Sequence, residues 1–126
     1  MTIVKDYMDL DVYLLALELQ QEIYELSKLF PNEERYSLTD QIRRCSRSIG
    51  ANISEAWAKR RYKAHFISKL SDSDGEQLET LHWLKTAFEC GYIIKEKYHV
   101  LTNKCHEIGQ KLGRMMKDAD KWCARF

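Results

Sequence analysis

Proline occurs once in this 126-residue chain and glycine five times. So little of either excludes collagen-like and low-complexity architectures and favours helix. Long apolar runs are also missing. None approaches the ~18 residues that span a bilayer, and the opening MTIVKDYMDLD places acids where a secretion signal needs an apolar core. These absences predict a soluble cytoplasmic protein with no membrane partner. The four cysteines, Cys45, Cys90, Cys105 and Cys123, lack the close pairing of a zinc site, and a domain this large does not need disulfide staples. Reduced thiols are expected. An overall charge of one sign is absent as well, since 20 basic residues face 19 acidic ones. With 44% hydrophobic and 31% charged residues, the chain suits a single globular domain over residues 1–126. A domain of that size buries roughly two thirds of the surface its unfolded chain would expose.

What is present is helical periodicity. Four stretches carry apolar residues at alternating steps of three and four, which lays one stripe along a helix. The first seam runs Val12, Ala16, Leu19, Ile23, Leu26 and Phe30 and stops at Pro31. After the polar NEERY, Ser37 is placed to cap a second helix with Asp40 at its third position. The seam of that helix is Leu38, Ile42, Cys45, Ile49, Asn52 and Ala56. A third, Ile67, Leu70, Asp74, Gln77, Leu81, Leu84 and Phe88, ends at Gly91, a residue able to close a helix in the left-handed conformation. The fourth is Tyr98, Leu101, Cys105, Ile108, Leu112, Met115, Ala119 and Trp122. Short connections force neighbouring helices to run antiparallel, so the expected fold is all-α, an up-down-up-down four-helix bundle.

Two seams hold polar residues at core positions. With the turn between helices two and three near residue 62, Asn52 falls level with Asp74 and Ser48 opposite Gln77, with Glu55 flanking. Several carboxylates in a bundle core can bind metal or move protons. The other reading is a satisfied polar layer that fixes helix register, and the small number of convergent ligands favours it. Asn52 is therefore expected to be buried and bonded to Asp74 or Gln77. Glu79-x-x-His82 and Glu96-x-x-His99 repeat the ligand pattern of di-iron bundles. In an antiparallel pair, however, they lie displaced by roughly 13 Å along the bundle, too far to share one metal pair. No metal or other cofactor is expected.

The charge that cancels overall is segregated along the chain. Residues 1–42 carry nine acids and three bases, a sum of −6, while residues 43–63 carry seven bases and one acid, a sum of +6. Those bases are Arg43, Arg44, Arg47, Lys59, Arg60, Arg61 and Lys63. At 100° per residue, Arg43, Arg47, Ser54 and Arg61 fall nearly opposite the seam of helix two. Gly50, Ala51, Ser54 and Ala58 lie between the arginines, with Trp57 at the edge. Small residues four apart admit a second helix, and a large aromatic beside a flat face is a common interface anchor. Gly50, Ser54, Trp57 and Ala58 are the expected subunit contact.

Three blocks carry a resemblance: FP-x-x-E-R-Y-x-L-x-x-Q-I-R-R from Phe30 to Arg44, Ser48-Ile49-x-x-Asn52-Ile53-x-Glu55, and Glu79-Thr80 on the third helix. Over nearly its whole length the chain resembles the bacterial four-helix-bundle family of 23S ribosomal RNA intervening sequence proteins. Many members have glycine after the position of Glu55, where this chain has Ala56. The resemblance implies a cyclic homo-oligomer, since related proteins form five-membered rings. A distant branch assists diversity-generating reverse transcriptases by binding the enzyme and nucleic acid.

Two functions compete. In the first, the seven bases of residues 43–63 contact phosphates of structured RNA or DNA, as in a ribonucleoprotein accessory protein, and a ring multiplies weak contacts. In the second, the chain is a scaffold whose arginines pair with Glu18, Glu22 and Glu25 of neighbouring subunits, or with a partner protein. No nucleophile–base pair, phosphate loop or metal cluster is visible, so no enzymatic activity is expected.

Overall fold

The computed structural model describes residues 3–124. Residues 1, 2, 125 and 126, which the single-domain reading includes, lie outside the described residues. Four long helices carry the chain: α1 (Asp11–Ser27), α2 (Asp40–Ala58), α3 (Lys63–Glu89) and α4 (Lys95–Lys117), followed by the short α5 (Ala119–Cys123). Sequence neighbours pack together, and α1 against α4 closes the square. Partners across α2 and α3 advance on one helix as they retreat on the other. Glu55 meets Lys69, Ile49 meets Ser73 and Cys45 meets Thr80, so the pair is antiparallel.

The core is built from Leu19 and Ile23 of α1, Ile42, Ile49 and Ile53 of α2, Phe66, Leu70 and Leu84 of α3, and Leu101, Ile108 and Leu112 of α4. The ends are stapled by aromatics. Phe30 packs on Tyr92, whose hydroxyl donates to Glu34 at 2.9 Å, and at the far end Trp57 meets Trp122 edge-on. Gly91 closes α3 as anticipated, at φ 78°, with the Tyr92 amide bonded to the Ala87 carbonyl. Cys45 and Cys105 are buried free thiols, pushed up to about 11 and about 12, in each case chiefly by burial.

Three boundaries differ from the periodicity. Helix α1 ends at Ser27, and Leu29 and Phe30 belong to a tighter turn, as their amides bond three residues back. Ser37 caps nothing, because a single turn at Asn32–Glu34 leads into a π-helical turn at Arg35–Thr39 that runs directly into α2. With no extended break, no first-turn amide is left for the serine to satisfy. Helix α4 breaks at Asp118, and Ala119 and Trp122 continue the seam on α5.

The polar layer is also rotated. Helix α3 buries Ser73, Gln77 and Thr80 rather than Asp74 and Leu81. The Ser73 hydroxyl donates to the Ile49 carbonyl at 2.8 Å and the Thr80 hydroxyl to the Glu76 carbonyl at 2.8 Å. Asn52 is half-buried and bonds its own helix, donating to the Ser48 carbonyl at 2.9 Å. Its expected partnership with α3 is therefore corrected: Asp74 and Gln77 bond each other at 3.2 Å and lie against Gly109 of α4. Ser48 is half-buried, and exposed Glu55 pairs with Lys69 at 2.8 Å.

Candidate functional site

The seven bases that are contiguous in sequence divide in space. Arg43, Arg44 and Arg47 occupy the start of α2, while Lys59, Arg60, Arg61 and Lys63 surround the turn into α3. At 1.5 Å per residue, Arg47 and Lys59 stand roughly 18 Å apart. Between them Glu55 is the only charged residue of α2, and Lys69 of α3 pairs with it.

Two residues of α1 organise the first group. The Arg43 Nε donates to the Ser27 hydroxyl at 2.7 Å. The Tyr24 ring has three cations around it: Lys28 at 4.6 Å from its centroid, Arg43 at 4.8 Å and Arg47 at 5.3 Å. The ring quadrupole attracts each cation and so gathers like charges that would otherwise separate. An open groove of about 550 Å³ runs alongside, lined by Asp40, Arg43, Arg44, Arg47, Ser48 and Ala51. Beside it on α3 lies an acidic edge. There burial, then the charges of Glu79 and Asp72, push the Glu76 carboxyl above its ordinary range, with Arg44 opposing them.

The second group is more engaged. Arg60 lies 3.4 Å over the Trp57 ring and donates to the Trp57 carbonyl, and Lys63 pairs with Asp120 at 2.5 Å. Lys59 and Arg61 remain exposed. Every ion pair among the described residues is made by lysine, and no carboxylate lies within pairing distance of Arg43, Arg44, Arg47 or Arg61.

The acids that the scaffold reading reserves for a neighbour are used within the chain. Lys104 of α4 bonds Glu18 at 2.9 Å and also Glu22, Lys97 reaches Glu22 at 3.4 Å, and Glu25 pairs with Lys28. Burial alone would raise the Glu22 carboxyl, but the hydrogen bonds and charges of Lys104 and Lys97 outweigh it and hold it below its ordinary value.

Helix α2 also presents a different outward face from the one periodicity suggests. Its buried arc includes Ser46, Gly50 and Ile53, which turns Arg44, Ala51, Glu55 and Ala58 outward. Gly50 is buried beneath Tyr13 of α1, where an added Cβ would meet the ring at 3.4 Å. Trp57 is half-buried between Arg60 and Trp122. Ser54 bonds the Ala51 carbonyl, and of the four expected contact residues Ala58 is the one fully exposed. Gly50→Ala should accordingly stabilise the fold by up to about 1 kcal/mol through helix propensity. Thermal melting and light scattering should show this gain with no change of mass, and a changed mass would return Gly50 to a subunit contact.

Tyr24 and Ser27 carry no signal within the basic segment. Their role follows only when α1 is laid antiparallel on α2, so that the end of one helix meets the start of the other. The Glu-x-x-His pairs are occupied differently. Glu79 accepts from the Trp83 indole at 3.1 Å, His82 packs on that ring, and Glu96 and His99 are exposed. Among the described residues no three His, Cys, Asp or Glu converge as a metal site, and no helix is long and apolar enough to cross a membrane.

Comparison with known proteins matches residues 8–114 to the family model described as 23S rRNA-intervening sequence protein. Among solved structures, the chain is similar to a crystal structure from Bacteroides thetaiotaomicron VPI-5482, described as a protein with unknown function from the S23 ribosomal protein family. The two are 36% identical with a TM-score of 0.76, over 84% of this chain and 95% of that one. No curated protein matches.

Proposed function

The chain belongs to the family of 23S rRNA-intervening sequence proteins, and from that premise we propose that it is a non-enzymatic nucleic-acid-binding or ribonucleoprotein accessory protein of the cytoplasm. The observation that carries this reading is that Arg43, Arg44, Arg47 and Arg61, exposed or half-exposed, have no carboxylate partner among the described residues, while every ion pair there is made by a lysine. A guanidinium is weakly hydrated, always charged and forked to match phosphate oxygens. Three of them gathered around one end of α2 repel one another until an anion arrives. The ribosomal description of the similar crystal structure fits such a role.

Assembly into a cyclic homo-oligomer, five-membered by the resemblance, is part of the same proposal, because repeating the arginine group multiplies weak contacts. Exposed Leu14 and Leu17 on α1, with Ala51 and Ala58 on α2, offer apolar surface for such a contact. The unmodified protein should exceed the monomer mass in light scattering at micromolar concentration. It should also retain labelled RNA at low salt and release it steeply as salt rises, since each neutralised phosphate frees condensed counterions. Absence of retention at low salt would refute the reading.

A second reading has one observation in its favour. The acidic edge of Asp72, Glu76 and Glu79 could receive the arginines of an adjacent copy, making the protein an interaction scaffold. In that case Glu76→Lys would lower the oligomer mass rather than alter RNA retention.

A further inference from the structure

We infer that the nucleic acid held by this protein is double-helical and is contacted on its backbone at two points, one at each end of α2. The inference rests on the nucleic-acid reading above and goes on to name the form of the ligand. Proteins that hold single strands combine a continuous basic groove with open aromatic rings on which successive bases stack, each stacked base contributing ~1–3 kcal/mol. Here the rings near the arginines are already covered. Tyr24 has Lys28, Arg43 and Arg47 around it, and Trp57 is covered by Arg60 and met edge-on by Trp122. The two exposed rings of the segment, Tyr36 and Tyr62, stand at its opposite ends, roughly 35 to 40 Å apart at helical rise, too far to stack neighbouring bases.

The charge pattern points the same way. The Arg43–Arg47 group and the Lys59/Arg61 pair are separated by roughly 18 Å of α2 whose only charged residue is Glu55, itself paired with Lys69 of α3. A flexible strand following α2 would pass its phosphates along a stretch where Lys69 is already held by Glu55 and Asp72. A duplex is stiff over such distances and presents phosphates on both sides of a groove, so it can touch both basic points and bridge the interval. The small outward side chains between them, Ala51 and Ser54, let a groove wall approach.

The test is fluorescence anisotropy at one low salt concentration, using duplex RNA and duplex DNA of about 20 base pairs, roughly two helical turns, and oligo(U) of equal length. Either duplex should bind at least about tenfold more tightly than oligo(U), and Tyr62→Ala should leave all affinities unchanged, since no stacked base is lost. Oligo(U) binding as tightly as both duplexes, or an about tenfold loss in Tyr62→Ala, would overturn the inference while leaving nucleic-acid binding in place. Binding to none of the three would overturn both.

Discussion

Changing Arg44, Arg47 and Arg61 together to glutamine should weaken duplex binding on the order of 10³-fold at 50 mM salt. Three lost phosphate contacts should flatten the slope of log affinity against log salt by about 2.7 per chain, at about 0.9 for each contact. The loss should be the same for unrelated sequences, because phosphate contacts carry no base information. These three side chains are exposed and none makes a hydrogen bond or ion pair that holds the fold together, whereas Arg43 ties α2 to Ser27 of α1 and is left in place. Loss of the Arg47 contact with the Tyr24 ring costs at most about 1 kcal/mol, so the melting temperature should fall by no more than about 4 °C and the oligomer mass should be unchanged. An unaltered affinity, or a changed mass with binding intact, would assign the arginines to subunit pairing.

Gly109→Leu should measurably destabilise the fold. A Cβ at this position would stand 2.9 Å from the Gln77 amide nitrogen and 3.5 Å from the Asp74 carboxylate. Gln77 is only 5% exposed and has little room to retreat. Overpacking costs about 3 kcal/mol, offset by about 1 kcal/mol of helix propensity. The net loss of roughly 2 kcal/mol corresponds to about 8 °C in melting temperature. Gln77→Ala in the same chain should recover about half of the loss, as expected for two side chains competing for one space. Melting curves of both singles and the double variant check this, and additive losses would show that the α3–α4 contact is built differently.

The bundle was legible because its apolar residues mark four seams and its connections are short. The finer geometry was less so, for reasons visible in particular residues. Seams read from apolar side chains overlook buried Ser46, Gly50, Ser73 and Thr80, which enter the core because they are small or satisfy their own hydroxyls on nearby carbonyls. Omitting them shifts the inferred core face of α3 by one position and turns the outward face of α2. The basic segment reads as one patch in a linear sequence, yet helical rise separates its ends. The engagement of Glu18 and Glu22 depends on lysines of α4, whose register no local pattern reports.

The most direct test of the central claim follows the arginine side-chain Nε–H signals by NMR while duplex RNA of about 20 base pairs is added, roughly two helical turns. Binding through the arginines of α2 and the turn that follows it predicts shifts at Arg43, Arg44, Arg47 and Arg61, with Arg35 and Arg114 unmoved. Shifts centred on Arg114, or none at a saturating ratio of RNA, would contradict it.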